Sequence, residues 1–218
     1  MKKICLLAAV CLAASATHAQ IQPRSVLLGG QFGYSNVNTD LVSYTQKSRS
    51  TVISLQLGKA LKKNTVTGIL LGYSPQKETR TGLVAGADTA TITARAIEAG
   101  LFLRWYKLLG KGFYLFGETQ AAYMDGKGSE EYKLNPADMT ITDRGGRLAF
   151  TGGIAYQLLK RLQVELVLPD LLGLQYRIVK RQSESLLTGD LKQQLFSVYS
   201  NISRQAVPNL GIGFRFVL

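Results

Sequence analysis

Histidine and cysteine are almost absent from this chain of 218 residues. The one histidine, His18, and the two cysteines, Cys5 and Cys11, all lie near its beginning. Lys2 and Lys3 are followed by an apolar run from Ile4 to Ala16, and then by Thr17-His18-Ala19 with small residues at the −3 and −1 positions of a cleavage site. The pattern predicts a secretory signal peptide over 1–19, cut after Ala19 to leave Gln20 first. The run is too short for a spanning helix. A lipoprotein processed at Cys11 is the alternative, since Leu7-Ala8-Ala9-Val10-Cys11 approximates a lipobox. Cleavage after Ala19 leaves 199 residues (218 − 19) with neither Cys nor His, and a formal charge of +10 (+12 less Lys2 and Lys3). Such a chain can hold no disulfide and no Cys/His metal site. It also lacks any later apolar run near the ~20 residues that a membrane helix needs.

What the chain does have is alternation. In its last ten residues Leu210, Ile212, Phe214, Phe216 and Leu218 point one way, and Asn209, Gly211, Gly213, Arg215 and Val217 the other. Strict period two is a strand with two unlike faces. A soluble sheet would put Lys, Glu and Thr on the second face; here it carries glycines and one Arg. An apolar outer row backed by a narrow, small-residue, polar interior is the pattern of a transmembrane β-barrel.

The pattern recurs along 20–218, which reads as one barrel domain. A first strand is expected over about Ser25–Val37, with Val26, Leu28, Phe32 and Tyr34 outward, and a second over about Ser50–Leu61. The third turns its Thr67, Ile69, Leu71 and Tyr73 outward, and the polar segment Pro75 to Thr89 is expected to be an outer loop. Next come the strand with Ile97 to Trp105 outward, a turn at Lys107 to Gly112, and the strand with Phe113 to Tyr123 outward. Asp125 to Asp143, rich in breakers, is expected to be a second long loop. A strand through Leu148, Phe150, Ile154 and Tyr156 turns at Leu159-Lys160-Arg161. A strand from Leu162 to Ile178 follows, with a bulge at Pro169-Asp170, because Pro cannot donate to a ladder. The final strand can begin as far back as Phe196, whose parity Val198, Ile202 and Leu210 share.

The fold class is therefore all-β: a closed, antiparallel, up-and-down transmembrane barrel of eight strands. Ten is the alternative if Pro169 to Ile202 hides a further hairpin. After the first hairpin, connections alternate short and long, as between periplasmic turns and extracellular loops. Outward aromatics fall into two girdles, Tyr34, Tyr73, Tyr123 and Tyr176 at the outer ends and Trp105, Phe113, Tyr156 and Phe216 at the periplasmic ends. Such rings suit a water–lipid boundary. In this whole-length pattern the chain resembles the small OmpA/OmpX-type barrels of the Gram-negative outer membrane. The resemblance implies outer-membrane localisation and recognition of the last strand by the barrel-assembly machinery. That family usually ends on Phe or Tyr, where this chain has Leu218.

Six charged residues face inward: Glu98, Arg104, Glu118, Arg147, Glu165 and Arg215. Buried charge is costly unless paired, and the interleaved signs point to a structural network with Gln31, Gln56 and Gln120. An ion path or a paired-carboxylate site is the sharper alternative. Glu165 and Arg215 are expected to meet near the periplasmic end. Gly29-Gly30-Gln31-Phe32-Gly33 and Gly152-Gly153 lead into no helix, so a phosphate-loop mechanism is missing. The basic excess is expected at the rims. Lys62, Lys63, Lys107, Lys111, Lys160 and Arg161 are assigned to periplasmic turns. Lys47, Arg49, Lys77, Arg80, Lys127, Lys133, Lys180, Arg181 and Lys192 are assigned to outer loops. Membrane lipid and lipopolysaccharide phosphates are the expected partners, not nucleic acid.

These features support a non-enzymatic outer-membrane protein with a structural, adhesive or surface-binding role through its extracellular loops, whose ligand the sequence does not identify. No catalytic, cofactor-binding or metal site is read from it. A narrow porin-like channel or transporter for small solutes is the alternative. A lipid-modifying enzyme is disfavoured, because the barrel enzymes of that kind use a histidine as general acid or base. A soluble lipocalin-like binder would need long charged side chains opposite its apolar rows.

Overall fold

The computed structural model describes residues 21–40, 44–82, 89–133, 139–183, 191–200 and 210–218. The expected signal peptide and its cleavage site lie outside these residues. Nine strand segments occur in order: β1 Val26–Asp40, β2 Tyr44–Lys62, β3 Thr65–Gly82, β4 Thr89–Gly110, β5 Phe113–Tyr132, β6 Met139–Leu159, β7 Leu162–Ser183, β8 Leu191–Tyr199 and β9 Gly211–Val217. Every pairing is antiparallel between sequence neighbours except the β1–β9 and β7–β9 contacts that close the ring.

The eighth stave is split. β9 pairs with β7 over Leu162–Val167 and β8 pairs with it over Gly173–Arg181, both running in the same direction. Among the described residues no additional hairpin separates β7 from β9, which removes the ten-strand alternative. The final stave also reaches back beyond Phe196, to Leu191, and its first segment ends at Tyr199. Ile202 and Asn209 lie outside the described residues.

Residues face as alternation predicts, with apolar rows outward and inward rows that mix small and polar residues with large buried apolar ones. Leu101, Ile97, Leu55 and Phe214 are exposed on the outside, while Phe102, Arg104, Gln56 and Arg215 are buried within. The tyrosines and Trp105, Phe113 and Phe216 of the expected girdles are also exposed outward, and Tyr156 packs on Phe113 with ring centroids 4.6 Å apart. From Phe113 to Tyr123 a tilted strand rises about 25 Å, the height of an apolar barrel belt.

The tight turns lie at the end expected to be periplasmic. Lys111 and Gly112 both take positive φ (48° and 81°), which a two-residue hairpin of this twist requires. This turn is shorter than expected, because β4 continues to Gly110 with a register shift beyond Leu108. The bulge at Pro169-Asp170 is present: the β6–β7 register jumps from Gly152↔Leu168 to Phe150↔Leu172, and Asp170 takes φ 51°.

The two long outer loops are a correction. Most of Pro75–Thr89 and Asp125–Asp143 is strand, and only 83–88 and 134–138 fall outside the described residues. β1, β2 and β7 likewise run past their expected outer ends. Above the tyrosines the outward rows turn largely polar while the inward rows keep apolar residues such as Ile92 and Val179, so the lipid-versus-lumen contrast fades although the ladder continues. Lys47, Arg49, Lys77, Arg80, Lys127, Lys180, Arg181 and Lys192 accordingly sit on strands rather than in loops.

Candidate functional site

The inward rows of the lower barrel carry the largest buried side chains among the described residues. Arg104 on β4 and Arg215 on β9 are, at 0% and 1% exposure, as sealed as any core residue. Each reaches carboxylates on other strands. Arg104 Nε donates to Glu118 Oε2 at 2.5 Å and its Nη1 to Glu165 Oε1 at 2.6 Å. Arg215 Nε donates to the same Glu165 oxygen at 2.9 Å, and its Nη2 to Gln56 Oε1 at 2.6 Å. Gln56 Nε2 in turn donates to Glu118 Oε1 at 2.8 Å. Two arginines and two glutamates thus balance in charge, and their geometry spans strands β2, β4, β5, β7 and β9.

Small residues make the room. A Cβ on Gly29 would stand 3.1 Å from the Arg215 guanidinium carbon, and one on Gly153 2.5 Å from the Phe116 ring. The two glycine stretches are strand positions that admit bulky neighbours, not a phosphate cradle. Phe116 lies against Arg104, its centroid 4.2 Å from the guanidinium carbon. Leu27, Val66, Tyr106, Tyr114 and Val167 complete the packing, and Ile21, ahead of β1, inserts among them at 2% exposure. The lower lumen is a solid floor.

The upper lumen differs. Arg147 Nη2 donates to Glu98 Oε1 at 2.7 Å and its Nη1 to Asp170 Oδ1 at 2.8 Å, beside a cavity of about 470 Å³. Gln120 links the tiers, accepting from Arg147 at 2.8 Å and donating to Glu118 at 2.5 Å. All six inward charges therefore fall into one connected array, four in the floor and two above. Gln31 does not join as expected: its Nε2 has no hydrogen-bond partner among the described residues. Sequence reasoning missed Asp170, which alternation places only within a bulge. That bulge, with its positive φ, supplies the second carboxylate to Arg147. Tyr106 was also missed; its hydroxyl lies 3.2 Å from Arg104 Nη1, on the inward parity of β4.

On the wall above the belt the pairs are more exposed than in the floor. Arg177 pairs with Asp143, and Arg144 approaches Asp125 at 3.4 Å with both side chains well exposed. The Tyr132 hydroxyl donates to Glu130 at 2.8 Å, which pushes the phenol above its ordinary pKa. Among the described residues no group of three His, Cys, Asp or Glu converges to hold a metal ion.

The architecture has counterparts among solved structures. The outer membrane protein OprG of Pseudomonas aeruginosa is similar over 92% of this chain and 98% of its own, with 12% identity and a TM-score of 0.50. A major outer membrane protein of Thermus thermophilus is similar over 88% and 99%, with 12% identity and a TM-score of 0.48. At these identities the likeness concerns the fold alone. No curated protein matches the chain. The family model described as "Outer membrane protein beta-barrel domain" matches residues 4–200, and with nearly the whole chain covered the protein belongs to that outer-membrane β-barrel family.

Proposed function

We propose that this protein is a non-conducting, non-enzymatic outer-membrane barrel that acts through its outward-facing surface above the membrane. The observation that carries the reading is the floor: Arg104, Glu118, Glu165 and Arg215 are all essentially inaccessible and fill the lower lumen together with packed aromatic and aliphatic side chains. A solute entering the upper cavity would have to break several buried charge-assisted contacts at once, each worth more than an ordinary hydrogen bond. Without histidine between Gln20 and Leu218, the histidine-based acid–base chemistry of outer-membrane barrel enzymes has no agent in the barrel. On this reading a signal peptide delivers the chain to the periplasm, and the assembly machinery recognises its last strand.

The decisive experiment is single-channel recording in planar bilayers with protein refolded in detergent. A silent membrane with correctly folded protein is the expected result. Discrete, reproducible conductance steps would replace the reading with a narrow channel.

A further inference from the structure

The outer face of the wall carries an array of cations that nothing in the floor explains. Arg49 on β2 stands directly opposite Lys77 on β3, and Arg95 on β4 directly opposite Lys127 on β5. All four side chains are exposed. Lys77 is opposite Thr93 and Pro75 opposite Arg95, so the two pairs are diagonal neighbours on one surface. Like charges directly opposite in an antiparallel ladder sit roughly 5 Å apart at Cβ and destabilise the sheet. Among the described residues none of the four pairs with a carboxylate. A protein that tolerates two adjacent repulsive pairs, with no acid between them, presents a site for an anion of more than one charge.

The surroundings narrow the class. The four cations line a groove of about 720 Å³ whose floor is small, with Thr51, Pro75 and Thr93. Tyr34 and Tyr73 lie at its lower edge. Immediately below, on the same outward face, are Ile53, Leu71, Ile97 and Leu101, all exposed. The groove thus straddles the height at which lipid headgroups meet acyl chains. A soluble polyanion would use the cations but gain nothing from the apolar rows beneath them. A phosphorylated lipid of the outer leaflet would use both, its acyl chains along the belt and its phosphates in the groove.

We propose that Arg49, Lys77, Arg95 and Lys127 form a binding site for the phosphates of an outer-leaflet glycolipid, lipopolysaccharide being the source, held at the upper tyrosine girdle. The proposal rests on the surface-acting reading above and specifies its ligand.

The test compares wild type with the quadruple variant Arg49→Gln, Lys77→Gln, Arg95→Gln and Lys127→Gln. A charge-matched control is Lys62→Gln, Lys63→Gln, Lys160→Gln and Arg161→Gln at the periplasmic turns. Each is first checked for heat-modifiable gel migration, which reports a closed barrel. Binding of purified lipopolysaccharide in non-ionic detergent should weaken at least about tenfold in the groove variant, while the control stays close to wild type. Lipopolysaccharide stripped of its phosphates should bind wild type as weakly as intact lipid binds the groove variant. Inorganic polyphosphate at equal phosphate concentration should not displace the lipid.

The groove variant should also unfold at higher urea than wild type in lipid-free detergent, because its repulsions are gone, and gain less from added lipid. Equal losses in groove and control variants, undiminished binding of the dephosphorylated lipid, or full displacement by polyphosphate would each overturn the site. Channel events in the bilayer would remove the non-conducting reading and leave these binding results standing, so the two failures are distinguishable.

Discussion

The floor and the upper cavity of this barrel use the same residue types to opposite ends. In the floor, two arginines share two glutamates with almost no exposed surface. In the cavity, one arginine lies between two carboxylates, Glu98 and Asp170, with side chains 14–32% exposed. The floor is neutral, and its charged side chains have almost no surface open to bulk solvent. The cavity carries one excess negative charge in its triad and keeps contact with solvent. A buried pair is held by the cost of breaking it, whereas a solvated pair is held loosely and remains free to exchange partners.

The largest effect is expected where the floor is broken. Glu165→Gln leaves Arg104 and Arg215 without the carboxylate oxygen they share. It should cost about 3–5 kcal/mol of stability in a urea–detergent unfolding assay. Adding Arg215→Gln should recover part of the loss, since the unpaired cation goes with it. Simply additive losses would show that the two residues do not act as a pair.

Packing offers an independent comparison at the next magnitude. A methyl at Gly153 meets the Leu166 carbonyl as well as the Phe116 ring, so Gly153→Ala should cost about 1–3 kcal/mol. At Gly33, which lines the cavity, the nearest atom to a new Cβ is 3.8 Å away, and the same change should be neutral within about 0.5 kcal/mol. Equal sensitivity at both positions would mean that the upper lumen is as tightly packed as the floor.

Arg147→Gln tests the cavity triad directly. It removes the partner of Glu98 and Asp170, but water can reach both, so about 1–2 kcal/mol is expected in the same assay. A loss matching that of Glu165→Gln would erase the distinction between the tiers.

How much of this was legible depended on the lipid. Between the girdles, period-two alternation separates faces of opposite hydropathy, and inward Arg104, Glu118, Glu165 and Arg215 could be assigned before any pairing was known. The diagonal meeting of Glu165 with Arg215 follows from parity and depth, although their direct cross-strand partners are Gly213 and Gln163. Above Tyr73 and Tyr123 the contrast vanishes, and strands with Lys77, Arg95 and Lys127 outward look like polar loops. Without a register there, the opposition of Arg49 to Lys77 and of Arg95 to Lys127 could not be seen. Asp170 was hidden for a different reason: a bulge reorients its side chain, so alternation says nothing about where it points.

The smallest effect is expected at the wall itself. Arg144 and Asp125 face each other across β5 and β6 at 3.4 Å, with side chains 57% and 44% exposed. Each has water as an alternative partner, and holding two flexible chains together costs entropy that a screened attraction barely offsets. Arg144→Gln should therefore change stability by no more than about 0.5 kcal/mol, and the small difference should shrink further at high salt, where the screening length falls. On that expectation the wall stands by its backbone ladder, which continues unbroken through Asp125↔Arg144 to Glu130↔Met139. A loss above about 1 kcal/mol that survives high salt would instead mean that ion pairs hold the wall as they hold the floor. The cations of the outer groove would then have to be read as part of that framework rather than as a surface left free for a lipid.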